Sequence, residues 1–317
     1  MVATVVRSGF AESRHRGAIA ALDSGGSVLL AAGTAAEPMF PRSSNKPMQA
    51  AAMLGCGLDL DGGLLALAAA SHSGEEFHVA GVREVLARAG LAEDDLLCPA
   101  DLPIDEQAQR ALLRGGGGAD RLHMNCSGKH AAMLATCVAA GWPTDSYLDP
   151  GHPLQQEIRS AIAGLAAEPV TAVGVDGCGA PLMAISLVGL CRAFRATVCA
   201  GPGSGPRRIA DAIRAHPDWA SGTRRPERAL MRAVPGLLLK SGAEGVQAFA
   251  LADGRAAAFK IDDGAQRATA VVTVALLRAL GVHDVPGADT AALEALAVAP
   301  VTGGGRVVGE IRPAIAC

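Results

Sequence analysis

Short runs rich in Val, Ile, Leu and Ala at 2–7, 17–22 and 27–32 open the chain, and the last two flank Asp23-Ser24-Gly25-Gly26. A Gly-containing break between apolar runs of strand length predicts a β-hairpin. From Lys46 to about Gly141 the apolar positions take up helical spacing, with Gly and Pro punctuation, and predict helices over 45–55, 76–89, 104–114 and 128–140. Further helices are predicted at 153–166, 180–195, 207–215 and 226–233, with a short strand at 170–175. Strand-like segments then return at 236–240, 246–252 and 255–261, followed by an amphipathic helix around 265–280. Strands at both ends enclosing helices predict an α/β (α+β) fold. It has one mainly antiparallel sheet built from both chain ends and a helical subdomain. The expected organisation is a single catalytic unit over 1–317, with sheet parts near 1–40 and 236–317 and a mainly helical part near 43–235.

Composition narrows the class. Half of the 317 residues are apolar but only 3% are aromatic, so Ala, Val and Leu must fill the core and elements must pack closely. A net charge of -3 offers no basic field for nucleic acid or anionic lipid, which leaves a small molecule as the expected partner. Arg7 and Glu12 interrupt the place of a secretory apolar run, and no stretch reaches 18 uninterrupted apolar residues, so the expected location is cytoplasmic. The eight cysteines form no regular framework and are expected mostly as thiols in the core. Neither Gly115–Gly118 nor "GPGSGP" at 201–206 has the Lys-Ser or Lys-Thr of a phosphate loop.

Chemistry concentrates in a few polar stretches. "PRSSNKPMQ" at 41–49 sets Ser43 three residues before Lys46; as a helix start, this spacing puts both on one face. A lysine whose charge is disfavoured by burial or by another cation can deprotonate a serine. The plain alternative is a helix cap, with Ser44 offering a second hydroxyl. "SHSGE" at 71–75 follows the apolar run "LLALAAA", and "LLLKSG" at 237–242 delivers Lys240 at a strand end. His72 and His78 read as ordinary polar or half-buried residues. In order, Ser-x-x-Lys, Ser-x-Ser and Lys-Ser-Gly are similar to the three elements of serine β-lactamases and penicillin-binding proteins, which suggests acyl transfer. Cys126 and Cys178, in "HMNCSGKHAAML" and "VDGCGAP", read either as two buried thiols or as part of a zinc site with a nearby nitrogen or carboxylate.

The runs "RSSNKPMQ" at 42–49, "ASHSGE" at 70–75, "NCSGKH" at 125–130, "DGCGAP" at 176–181 and "KSGAEG" at 240–245 together resemble the asparaginase II family, the rhizobial-type L-asparaginases. The resemblance implies a serine-β-lactamase-like fold, a homodimer, and hydrolysis of L-asparagine to L-aspartate and ammonia. It implies paired Ser-Lys groups, Ser43 with Lys46 and Ser71 with Lys240, and one zinc per chain held by Cys126, Lys129 and Cys178. Arg42, Glu75, His130 and Asp176 flank the same motifs as candidate substrate or supporting groups. The expected mechanism has Ser43 attack after losing its proton to Lys46. Ser71 relays a proton or orients the amide, and backbone N–H groups at the start of the Ser43 helix stabilise the oxyanion. The zinc would fix substrate or loops and would not generate hydroxide. Glutaminase or β-lactam-type acyl hydrolase activity is the enzymatic alternative, because one methylene is discriminated by only about 1–3 kcal/mol. A non-catalytic zinc-binding amino-acid sensor is the other.

Overall fold

The computed structural model describes residues 1–315. The chain opens with β1 (Ala3–Arg7), β2 (Phe10–His15), β3 (Gly17–Leu22), β4 (Val28–Ala32) and the two-residue β5 (Pro38–Met39). It continues through α1 (Lys46–Gly55), α2 (Gly62–Ala68), α3 (Glu76–Arg88), α4 (Glu106–Arg114), α5 (Ser127–Ala140) and α6 (Pro153–Ala166). Short strands β6 (Val173–Val175), β7 (Pro181–Met183) and β8 (Ile185–Ser186) precede α7 (Leu187–Cys199), α8 (Gly205–Ala215), α9 (Pro217–Ala220) and α10 (Pro226–Ala233). Then come β9 (Leu238–Ser241), β10 (Val246–Ala250), β11 (Ala256–Ile261), α11 (Thr269–Ala279), α12 (Thr290–Leu296), β12 (Ala299–Gly303) and β13 (Arg306–Pro313).

The fold is mixed α/β with antiparallel sheets, and the two chain ends meet in both main sheets. One has the order β12-β13-β1-β2, the other β4-β3-β11-β10-β9. Ala3 pairs with Pro313 in the first, and Ala258 pairs with Ala20 and with Ala248 in the second. The division into two sheets, where the apolar pattern suggests one, follows from β2 and the β12–β13 hairpin. β2 alternates exposed and half-buried side chains along "FAESRH" and carries no apolar run to announce it. The helix expected over 180–195 is also revised. Residues 181–183 and 185–186 pair as strands, and the helix begins at Leu187 behind a Ser186 hydroxyl that accepts from Gly189 N.

Small side chains set the spacing of the core, as the shortage of aromatics requires. Ala20, Ala248 and Ala258 are fully buried at the centre of the five-stranded sheet, where α7 lies against β3, β10 and β11. A row of methyls lets the helix backbone come close, and Leu187, Leu190, Cys191 and Phe194 fill the remaining space from its buried face. The helical block is centred on α1 and α2, which both pack on α5 and α8. The seven cysteines among the described residues are free thiols, and Cys317 lies outside those residues. Among the described residues no helix is long and apolar enough to cross a membrane.

Candidate active site

Three segments converge from different parts of the fold. The first is the 3-10 turn Arg42–Asn45 in front of α1, with Arg42 in a left-handed conformation at φ 52°. Ser44 is fully buried there, and its hydroxyl donates to Pro41 O at 2.6 Å. That contact makes Ser44 the structural serine of the pair and leaves Ser43 on the wall of a cleft of about 370 Å³. The Ser44 N–H also donates to Pro41 O, at 3.2 Å, and is thereby removed from the oxyanion donors expected at this turn. Lys46 follows at the first position of α1 with only 1% exposure.

The second segment leaves α2 and carries Ser71. Its conformation is locked by His72, which is fully buried. His72 Nδ1 accepts from Gly74 N at 3.1 Å, so the proton sits on Nε2 and is donated to Ser127 Oγ at 2.8 Å; that hydroxyl donates onward to Leu122 O at 2.7 Å. Burial, helped by His78 and Lys46, holds this imidazole well below its ordinary range, in keeping with the neutral tautomer. The Ser71 loop is thus clamped to the start of α5. The third segment is β9, which ends at Lys240, Ser241 and Gly242. A Cβ on Gly242 would lie 2.5 Å from Pro41 O and 3.2 Å from Arg42 Cβ, so only glycine lets the strand end touch the Ser43 turn.

These contacts place Ser71 Oγ between two buried amines, 3.0 Å from Lys46 Nζ and 3.0 Å from Lys240 Nζ. Lys46 also contacts Ala70 O at 2.5 Å and Cys126 Sγ at 3.1 Å, three neighbours that match the three donors of an ammonium. Among the described residues it makes no hydrogen bond to Ser43. Its amine is engaged instead by Ala70 O, Ser71 Oγ and Cys126 Sγ, which the loop after α2 and the start of α5 bring to it. Lys240 also reaches Ser241 O at 2.9 Å. Burial and then the neighbouring Lys46 charge lower its amine to about 7.

Behind this cluster lie the thiols. Cys126, Cys178 and Lys129 are all buried, and Lys129 Nζ stands 3.1 Å from Cys178 Sγ. Hydrogen bonding from the Cys178 thiol, against burial, holds Cys126 well below a normal thiol, while that same contact raises Cys178. Asp176 accepts from Arg42 Nε at 2.7 Å, and the Arg42 contact and the Lys129 charge outweigh burial and keep its carboxyl low. His130 Nδ1 meets Tyr147 OH at 2.7 Å. That hydroxyl already accepts from Leu97 N, so it donates to the ring and leaves a buried Nε2–H that makes no hydrogen bond of normal geometry among the described residues and has the Cys178 thiol beside it. Burial first lowers this histidine to about 4. Glu75 stands apart from the cleft wall. It accepts from Thr223 N at 2.8 Å and Thr223 Oγ1 at 2.6 Å, which anchors the loop before α10.

That loop introduces two groups the sequence reading overlooks. Arg225 and Glu227 line the same cleft as Ser43 and Ser71, with Asn125, Ser241 and Gln247. "RRPERAL" reads as an ordinary helix start, with Pro226 at the first position and an acid in the first turn, and that pattern hides any other role.

The L-asparaginase II family model matches residues 3–313. The chain belongs to that family. Among curated proteins no match is found. Solved structures similar to this asparaginase II family chain include a beta-lactamase from Mycobacterium bovis, at 13% identity and TM-score 0.41, covering 89% of this chain and 95% of that one. Another is Mglu in its tris and glutamate form, at 14% identity and TM-score 0.40, covering 88% of this chain and 62% of that one. Family membership makes the chain a hydrolase of the amidohydrolase type acting on a small molecule. No group of three or more His, Cys, Asp and Glu side chains that could hold a metal occurs among the described residues. The zinc set implied by the motif resemblance contains only two such residues, with Lys129 as the third.

Proposed function

We propose that this chain hydrolyses the side-chain amide of L-asparagine to L-aspartate and ammonia through an acyl-enzyme formed on serine. The observation that carries the reading is the Ser71 hydroxyl held 3.0 Å from two buried lysine amines, on a cleft shared with Ser43. Ser43 Oγ attacks the amide carbon. Its proton passes through Ser71 to Lys240, the amine whose burial brings it to about 7 and so makes it neutral near physiological pH. The proton then goes to the departing nitrogen as the C–N bond breaks, ammonia leaves, and water attacks the aspartyl ester by the same route in reverse. The base role thereby moves from Lys46 to Lys240, and Lys46 serves as the cation that holds Ser71 and lowers Lys240.

One observation favours a second reading, with Ser71 as the attacking group: of the two candidate serines, among the described residues, it is Ser71 whose hydroxyl has lysine amines within hydrogen-bond reach. Acid quench during turnover followed by peptide mass spectrometry separates the two. The aspartyl ester is expected on the peptide bearing Ser43; an ester on the Ser71 peptide reassigns the nucleophile, and no ester on either rules out the acyl-enzyme. Ammonia release from asparagine and glutamine, with hydrolysis of a chromogenic β-lactam alongside, tests the substrate class. Asparagine is expected to be turned over fastest, and binding of amino acids without any ammonia release would instead favour the sensor.

Two buried cysteines and an adjacent lysine, once deprotonated, suit zinc as a donor set, and the buried His130 ring beside Cys178 offers a support for a sulfur ligand. Cys126, Lys129 and Cys178 would hold it. Bound there, zinc would supply a fixed positive charge beside the cleft. The expected assembly is a homodimer acting as one catalytic unit per chain, which light scattering checks.

A further inference from the structure

We infer that Arg225 and Glu227 form the clamp that reads the zwitterionic head of the substrate, its α-carboxylate and α-ammonium, and so restrict the cleft to free α-amino acids. The inference rests on the asparagine reading above and adds to it the residues that select the amino-acid class.

Four observations support it. First, the pair lies on the wall that carries Ser43 and Ser71. The Arg42–Asp176 pair, which the motifs suggest for substrate contact, does not line that wall. Arg42 instead faces a separate groove with Met39, Phe40, Gly174 and Glu244. Second, the pair is rigid. Glu227 Oε1 accepts from Arg225 Nη2 at 2.9 Å and from Ser241 Oγ at 2.5 Å, so the carboxylate is fixed to the residue beside Lys240. Third, each partner keeps an unused position. Among the described residues Glu227 Oε2 takes one side-chain contact, from Arg225 Nε at 3.2 Å, which leaves acceptor capacity for an ammonium. Arg225 Nη1 has no hydrogen-bond partner among the described residues, which leaves a donor for a carboxylate. Fourth, the charges match. Burial would raise the Glu227 carboxyl, but the Arg225 charge and the Ser241 hydroxyl outweigh it, so the pair is neutral overall and locally dipolar, as an α-amino acid is.

Three amides test the clamp: L-asparagine, succinamate, which lacks the α-ammonium, and 3-aminopropanamide, which lacks the α-carboxylate. Ammonia release gives kcat/KM for each. The wild type is expected to prefer asparagine over both. Glu227→Gln should shrink the preference over succinamate by roughly 10- to 100-fold, chiefly through a higher KM for asparagine, and Arg225→Gln should do the same for 3-aminopropanamide. Glu227→Asp keeps the charge and should restore part of the ratio, which also serves if the glutamine variant does not fold. Ratios that stay at wild-type values, or that collapse in Asp176→Asn instead, overturn the clamp while the asparagine reading stands. A wild type that releases no ammonia from asparagine defeats that reading, and the clamp with it.

Discussion

Lys240 and Lys129 are both buried, and their amines are driven in opposite directions. At Lys240 burial acts with the Lys46 charge, and the amine falls to about 7. At Lys129 burial works the same way, but the Cys178 and Cys126 sulfurs outweigh it and the amine rises above its ordinary value. Burial alone therefore does not define a lysine's chemistry; the sign of its neighbours does. One amine is suited to accept a proton from a serine; the other holds its proton beside sulfur and would have to give it up to a bound metal.

Removing the first of these amines should have the largest effect. Lys240→Met should lower kcat/KM for asparagine by about 10²- to 10⁴-fold, the usual contribution of a positioned acid-base group, and Ser71→Ala should fall in the same range. Ammonia release under steady-state conditions measures both. Near-normal turnover in either variant would remove that residue from the proton path.

Next comes Gly242→Ala. The added methyl must displace the Pro41 carbonyl or the strand end. A loss of about 1–3 kcal/mol in denaturant unfolding is expected, with at least a tenfold loss of activity as the Ser43 turn shifts away from Lys240. Unchanged activity would show that the two segments need no such close approach.

The second lysine is tested through metal. Protein purified without chelator is expected to carry up to one zinc per chain by elemental analysis, and Cys126→Ser with Cys178→Ser should abolish it. The accompanying change should be a severalfold rise in KM for asparagine with a smaller change in kcat. Metal-free wild type whose kinetics ignore added zinc would return the two cysteines to the role of buried thiols.

The smallest effect is on stability, and its sign separates lost chemistry from lost folding. Because the folded Lys240 amine lies near 7, below its unfolded value, the unfolded chain binds more protons between that pH and the unfolded value. This group's cost to the wild-type fold is full below about pH 7 and fades as pH rises above it. Lys240→Met should therefore melt a few degrees above wild type at pH 6, with a gap that narrows by pH 10.

Much of this arrangement was legible in the residues. The apolar runs around Asp23–Gly26 form the β3–β4 hairpin as read, and the polar stretches at 42–49, 70–75 and 240–245 meet at one cleft. The strands with solvent-facing patterns were not legible, because β2 and β13 bury too few side chains to leave a periodic signal. Partner choice was less legible still. Spacing suggests Ser43 for Lys46, but the tertiary contacts of the Ser71 loop, fixed by His72 far along the chain from Ser127, give Lys46 a different serine. Arg225 and Glu227 carry no motif at all. Their placement depends on Glu75 holding the loop before α10, a contact between residues about 150 positions apart.

The pH dependence of kcat/KM for asparagine, measured from pH 5 to 9 in wild type and in Lys240→Met, tests most directly the claim that Lys240 is the neutral base. A neutral amine is needed, so the wild-type rate should rise with pH through about 7 and fall tenfold per unit below it, and the variant's residual rate should lack that limb. A wild-type profile that is flat across this range, or the same limb persisting in Lys240→Met, would contradict it.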